Sequence, residues 1–372
     1  MADYDAVVLG LGCAGLASCS ELSKNGFDVL GLEKHTIVNK YGSSHGDVRL
    51  FRFAYHEGKE YIPLLSESAN RWKELNQYVP SEIFTENGSL TIGHKDSEKY
   101  SNALRACQSS ELEHYKYSGS ECNSKYDMWN IPSDFNVLYQ PDGGILNSRE
   151  GLYGLKTEGE ENGAELRTHT EVISWTDTGE IVKIKLDSGE MITTDALIIT
   201  SGPWASNTTE LEDLLQIERH IASFLDYSNP EFSSSNAPVW VFDGGQDIGR
   251  FYGAPTLDGV SNLKLGNLNG DVETTIDTIS RDWDYYELIP EVEFARSYFS
   301  QNPSSIDASV CPLTHSKDGD FIIDSSNEFD NIYYGVGLSG HGLKLAPAIG
   351  RLVSDCVSNN NTKEMFSLDR FY

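Results

Sequence analysis

The chain opens on a short apolar run, Ala6-Val7-Val8-Leu9, which reads as a buried strand. Gly10-Leu11-Gly12-Cys13-Ala14-Gly15 follows, and then LASCSELSKN at helical spacing, with Gly26 placed to end the helix. A second apolar run from Phe27 to Leu32 closes on Glu33, so the segment has the length and order of a β-α-β unit. Ile62, Leu65, Ala69, Trp72 and Leu75 recur at helical spacing and predict an amphipathic helix from Tyr61 onward. Between residues 165 and 200 the period shortens to strand-like alternation in TEVISW, IVKIKL and MITTDALIITSG, with Asp187-Ser188-Gly189 as a turn. The opening pattern then returns near the C-terminus, as a strand from Ile332 to Val336, the glycine-rich LSGHG and a helix from Gly342 to Val357. Residues 205–300 lack this rhythm and read as a second lobe, and no repeat of fixed period is visible.

Composition narrows the class. A chain of 372 residues exceeds one comfortable core, and 39% apolar residues with 11% aromatics suffice for two. The 57 acidic and 28 basic side chains leave a formal charge of −29, which excludes a general nucleic-acid binder. The absence of an apolar run of spanning length, and of a basic region before the first strand, predicts a soluble cytoplasmic protein with no membrane partner. Six cysteines, Cys13, Cys19, Cys107, Cys122, Cys311 and Cys356, show no CxxC spacing, so neither a disulfide framework nor a metal site is indicated. The final Arg370-Phe371-Tyr372 carries no peroxisomal or prenylation signal.

GxGxxG is a weak signal alone in a chain with 33 glycines, and its strand-turn-helix context strengthens it. Gly10 permits the tight turn, Gly12 lets backbone approach a pyrophosphate, and Gly15 allows close helix-strand packing. Glu33 is placed to accept hydrogen bonds from a ribose diol and would repel a 2′-phosphate, which disfavours NADP. Between FAD and NAD, the second glycine-rich segment, Gly335-Val336-Gly337-Leu338-Ser339-Gly340-His341-Gly342, favours FAD.

The segment GSSHGDVRLFRFAYHEGKEY at residues 42–61 resembles the FAD-dependent monomeric sarcosine oxidase and N-methyltryptophan oxidase family. The resemblance continues through Tyr252-Gly253-Ala254-Pro255, Leu263-Lys264-Leu265-Gly266, Cys311, Asp320-Phe321-Ile322-Ile323-Asp324 and Gly337 to Lys344, in the family's order. It implies an α/β architecture: a glutathione-reductase-like, Rossmann-type FAD-binding domain with an interleaved α+β substrate domain. The expected division is 1–80, 145–210 and 310–372 for the FAD-binding domain, and 81–144 with 211–309 for the substrate domain. Members oxidise the C–N bond of a secondary amine to an imine and reduce O2 to hydrogen peroxide, and water releases amine and aldehyde. The implied partners are a small amino-acid substrate and O2, with the protein a monomer. A fructosyl-amino-acid oxidase is the close alternative, and an FAD dehydrogenase with another acceptor the more distant one.

The same resemblance assigns roles. Cys311 matches the cysteine that joins the flavin covalently, although Pro312-Leu313 replace the aromatic residue often found nearby. Arg52 and Lys344 match the cations that hold the substrate carboxylate, one a planar fork and the other a mobile point charge. Lys264 matches the lysine that activates oxygen, a buried cation whose charge counts for more in a dry site. His45 and Arg49 are expected beside the flavin, with Ser43, Ser44, Gly340, His341 and Gly342 among its contacts, and Tyr252 along the substrate cavity. Asn267-Leu268-Asn269 stand where some relatives place a histidine shortly after the lysine, which alters the expected pocket wall.

Overall fold

The computed structural model describes residues 2–257, 259–269 and 272–372. Its first sheet has eight strands. The strand β1 (Tyr4–Leu9) pairs in parallel with β2 (Val29–Leu32) on one side and with Met191–Ile199 on the other. Glu165–Arg167 extends the parallel set beyond β2, and Ile332–Val336 extends it beyond Met191–Ile199. Val172–Asp177, Val182–Leu186 and Met191–Ile199 form the antiparallel meander expected from their alternation, with Gly189 at positive φ in the turn.

Both faces of β1 are buried, which explains its unbroken apolar run. Ala6 and Val8 join the core formed with helix α1 (Cys13–Lys24) and the helices Ser148–Glu161 and Ala346–Asn359. Val7 points the other way, into the core beneath the meander with Ile184, Leu197 and Ile199. The amphipathic stretch forms α2 (Ile62–Glu74), with Leu65, Ala69 and Trp72 buried in the first of these cores. The C-terminal helix starts later than its spacing suggests. Leu343–Leu345 form a 3-10 turn and the α-helix begins at Ala346, with Pro347 in its first turn, where a missing N–H costs nothing.

The second sheet has nine strands and is almost wholly antiparallel, its one parallel pair being Val239–Asp243 with Ser89–Gly93. Leu215–Asp226 pairs along its entire length with Ser305–Ser316, which sets His220 opposite Cys311. Aromatic packing holds this half together: Trp240 stacks on Phe294 at 5.5 Å, and Trp129, Phe242, Phe251 and Phe299 surround them. The strand β3 (Val48–Phe51) belongs to a small three-stranded sheet. Its Val48 and Leu50 pack against Val239, Val241 and Ala254, so the segment after residue 42 is anchored to the second sheet.

Candidate active site

A cavity of about 1060 Å³ is lined by residues of both sheets. One end is walled by Gly10, Gly12, Glu33 and Trp175, and the other by Arg52, Tyr252, Lys264, Cys311 and Lys344.

The glycine turn joins β1 to α1. Gly10 has φ +96°, and a Cβ there would lie 2.8 Å from Ser201 Cα. A Cβ on Gly15 would stand 1.9 Å from the Gly10 carbonyl oxygen, so helix and turn meet only because that position has no side chain. Glu33 accepts the Leu11 N–H at 3.0 Å through one oxygen and the His35 N–H at 2.9 Å through the other, and each oxygen keeps a lone pair for a further donor. Ser44 Oγ accepts the Cys13 N–H at 3.0 Å, which ties the 42–46 segment to the first turn of α1. A helix N-terminus, a glycine turn and a carboxylate at the end of β2 suit an adenine dinucleotide.

Beside Tyr252, Lys264 and Cys311 the 42–49 segment folds onto itself. Arg49 donates to the carbonyls of Ser43 at 3.1 Å and His45 at 2.5 Å. His45 contacts Gly42 O at 2.7 Å through Nδ1 and Ser309 Oγ at 3.0 Å through Nε2, and burial pushes its imidazole down to about 4. Ser43 Oγ donates to Pro312 O at 2.5 Å, and Cys311 Sγ lies 3.8 Å from Ser43 O. Lys264 is buried and donates to Val48 O at 3.4 Å, with its ammonium 5.6 Å from the centre of the Tyr252 ring. Burial, then the neighbouring Arg49, bring Lys264 down to about 7. Tyr252 hydroxyl and His220 Nε2 are 2.7 Å apart.

At the far end Arg52 is 4% exposed and Lys344 is 7% exposed. Lys344 sits 4.8 Å from the Tyr55 ring centre, and burial together with Arg52 lowers it to about 7 against the pull of Glu57. Arg52 donates to Glu57 at 3.0 Å and to Ala54 O at 3.4 Å, so part of its fork is already occupied by the protein. Burial alone would raise Glu57, but Arg52, His56 and Lys344 hold its carboxyl well below the usual carboxylate range. His341 precedes the 3-10 turn and is fixed by Tyr55 hydroxyl at 2.6 Å, with its imidazole lowered to about 4 by burial. Gly340 and Gly342 flank it on the cavity wall.

Of the residues singled out from sequence, all but Gly15 line this one cavity, and Gly15 lies beneath it as a packing contact. Glu57, His56, Lys99 and His220 also line it and carry no sequence signal of their own. The Arg52–Glu57 pair spans five residues of irregular chain, so no helical or strand period could have marked it. All six cysteines are buried and no disulfide joins them among the described residues, no group of metal-ligating residues occurs among the described residues, and none of their helices is long and apolar enough to cross a membrane.

Residues 5–356 match the family model described as FAD dependent oxidoreductase. The chain is 30% identical over 381 residues to the monomeric sarcosine oxidase of Bacillus sp. (strain B-0618), covering 99% of this chain and 96% of that one. It is 27% identical over 360 residues to the N-methyl-L-tryptophan oxidase of Salmonella heidelberg (strain SL476), with 95% and 94% covered. Among solved structures, NikD, an amino acid oxidase essential for nikkomycin biosynthesis, superposes with a TM-score of 0.83 at 22% identity over 96% of this chain and 95% of that one. Glycine oxidase from Geobacillus kaustophilus gives 0.79 at 17% identity, covering 99% of both. These two likenesses concern the fold.

Proposed function

The chain belongs to the FAD dependent oxidoreductase family, and from that premise we propose that it is an amine oxidase acting on N-substituted, above all N-methylated, amino acids. It converts the C–N bond to an imine with O2 as electron acceptor and hydrogen peroxide as product, and water then splits the imine into amine and aldehyde. The observation that carries this reading is the set of buried cations, Arg52, Lys264 and Lys344, facing the cavity that also holds the glycine turn. FAD, when bound, supplies the two-electron redox chemistry.

Arg52 and Lys344 orient the substrate through its carboxylate. Arg52 keeps N–H groups free of Glu57, and Lys344 has no carboxylate within salt-bridge distance among the described residues. Their joint burial excludes water, so the carboxylate meets two fixed charges and the substrate is positioned, not merely bound. Lys264 supplies positive charge for oxygen reduction in a dry part of the site. His45 and His341 are held in place as neutral, hydrogen-bonded imidazoles at neutral pH, a state supported by their burial and lowered pKa. Tyr252 contributes a wall beneath Lys264.

Covalent attachment of FAD through Cys311 is part of the proposal. Its support is the cavity-facing thiol beside Ser43 and the nearness of Lys264 and Arg281, which favour a thiolate. The two-domain division given above is supported by strand membership of the two sheets except at its bound of 310, which falls inside Ser305–Ser316, a strand of the second sheet. A cytoplasmic monomer is supported by the absence of a disulfide among the described residues and by the description of the sarcosine oxidase relatives as monomeric.

The test is anaerobic mixing of the flavoprotein with sarcosine, N-methyl amino acids, cyclic imino acids and fructosyl amino acids, followed by a peroxide assay in air. Flavin bleaching by N-methyl amino acids and stoichiometric peroxide are expected, and bleaching by none of the panel refutes the reading. Flavin should remain with the protein after acid precipitation, and its release would refute the Cys311 linkage alone.

A further inference from the structure

The substrate end of the cavity holds more positive charge than one carboxylate requires. Beside Arg52 and Lys344 it is lined by Lys99, in the first turn of the helix Glu98–Ser109, and by His56. Glu57 is the carboxylate they share: it pairs with Arg52 at 3.0 Å, lies 3.4 Å from His56, and acts on both lysines through space. No carboxylate stands within salt-bridge distance of Lys99 among the described residues. With Lys344 protonated, as a bound carboxylate favours, three cations against Glu57 leave two positive charges at this end, and a monocarboxylate substrate offsets one.

His56 shows where the other belongs. Its Nδ1 lies 3.3 Å from Arg52 NH1 and its Nε2 lies 3.0 Å from Lys99 Nζ, so one imidazole faces a cationic donor at each nitrogen. Burial keeps that imidazole neutral, at about 3, and a neutral imidazole has a single acceptor nitrogen. With Nδ1–H turned to Glu57 at 3.4 Å, Nε2 accepts one hydrogen from Lys99, and the other ammonium hydrogens of Lys99 have no carboxylate within salt-bridge distance among the described residues while the side chain lines the cavity. An anion on Lys99, beside His56, would accept those donors and complete the charge balance of the cluster.

We propose that Lys99 and His56 form a second carboxylate subsite, and that the preferred substrate is an N-substituted dicarboxylic amino acid. This rests on the amine-oxidase reading. The first carboxylate lies on Arg52 and Lys344 and the second on Lys99, with His56 between them. Arg52 and Lys99 stand on opposite sides of one imidazole, 3.3 and 3.0 Å from its two nitrogens, which leaves room for a dicarboxylate with a few carbons between its ends. Lys99 lies at the half-buried rim, so it selects among substrates without touching the C–N bond.

The test compares N-methyl-L-aspartate and N-methyl-L-glutamate with N-methyl-L-alanine and N-methyl-L-norvaline, in wild type and in Lys99→Met and Lys99→Arg. The wild type should favour the dicarboxylates by about tenfold or more in kcat/KM, Lys99→Met should remove most of that preference, and Lys99→Arg should retain it. A parallel readout needs no turnover: calorimetric binding of glutarate against butyrate should show the same gap and the same loss in Lys99→Met. Equal handling of charged and neutral substrates, or a preference untouched by Lys99→Met, overturns the subsite while leaving the oxidase standing. Lys99-dependent glutarate binding in a protein whose flavin no amine reduces would instead overturn the oxidase reading and keep the subsite.

Discussion

At the glycine-turn end, the cavity is walled by residues 10–14 and by Glu33, close in sequence and acting mainly through backbone N–H groups and the bare glycines. At the opposite end Arg52, Lys264, Cys311 and Lys344 come from four separate segments and act through buried charge and one thiol. The first end is a matter of shape: its geometry is set by local backbone conformation, and an added methyl group is enough to disturb it. The second is a matter of electrostatics, in which position depends on both sheets and on the pairing of Leu215–Asp226 with Ser305–Ser316. Shape should fail abruptly when it is altered, and charge should fail by degrees. Perturbations of each end can therefore be ranked.

The largest effect is expected for Gly15→Val. Its Cβ would overlap the Gly10 carbonyl, which is backbone and cannot rotate away, so α1 must shift from β1. Loss of bound flavin and a destabilisation of about 3 kcal/mol or more are expected, read by flavin content and denaturant unfolding. Full flavin occupancy in a folded Gly15→Val protein would show that the turn tolerates displacement and would break the contrast.

Lys264→Met comes next and probes the charged end. The side chain keeps its length and loses its charge, so reoxidation by O2 should slow by about 10²–10³, the scale of removing one electrostatic stabiliser. Anaerobic reduction by substrate should change by less than about tenfold, because Arg52 and Lys344 are untouched. Stopped-flow measurement of the two half-reactions separates them, and equal slowing of both would place Lys264 in substrate positioning.

The contrast between the two ends also explains what the chain reveals before folding. Gly10, Gly12, Gly15 and Glu33 are legible by spacing because the unit that holds them is local. The strands β1, β2 and Ile332–Val336 are legible as unbroken apolar runs and the meander as alternation, whereas the short parallel strand Glu165–Arg167 has no pattern of its own. Arg52, Lys264 and Lys344 have no mutual spacing to read, and only their resemblance to a known family pointed to them. Glu57, His56 and Lys99 escaped altogether: the first two lie in irregular chain, and Lys99 in a helix whose other residues face elsewhere. Each looks like an ordinary surface charge until the fold brings them together. The start of the last helix at Ala346 instead of Gly342 has the same cause, since the glycines of LSGHG serve the cavity wall and leave the helix to begin beside Pro347.

A smaller and graded effect should follow from pH. Lys344 faces Arg52, Glu57, His341 and His56; in free protein it loses its proton near 7, while the two imidazoles are neutral and Glu57 ionised across the neutral range. A bound carboxylate favours the protonated lysine, so affinity is full below about pH 6 and declines as pH rises through 7. The Kd of a simple monocarboxylate should weaken by about tenfold per pH unit between about 7.5 and 8.5. Lys344→Met should give weaker binding with a flat profile over the same range, and a wild-type profile that is already flat would mean that Arg52 alone holds the carboxylate.

Ionic strength should produce the smallest change and set the two scales of charge against each other. The whole chain carries −29, and an anionic substrate must cross that field before it meets Arg52 and Lys344. Salt at 0.1 M screens over about 10 Å, which weakens the distant repulsion while sparing a buried pair in contact. Moving from low to moderate salt should therefore lower the apparent KM for a carboxylate substrate by about twofold, and more for a dicarboxylate than for a monocarboxylate. Higher salt should reverse the trend once the half-exposed Lys99 is screened. A KM that rises throughout would mean that the local cations govern capture from the start, and that the acidic surface matters for solvation alone.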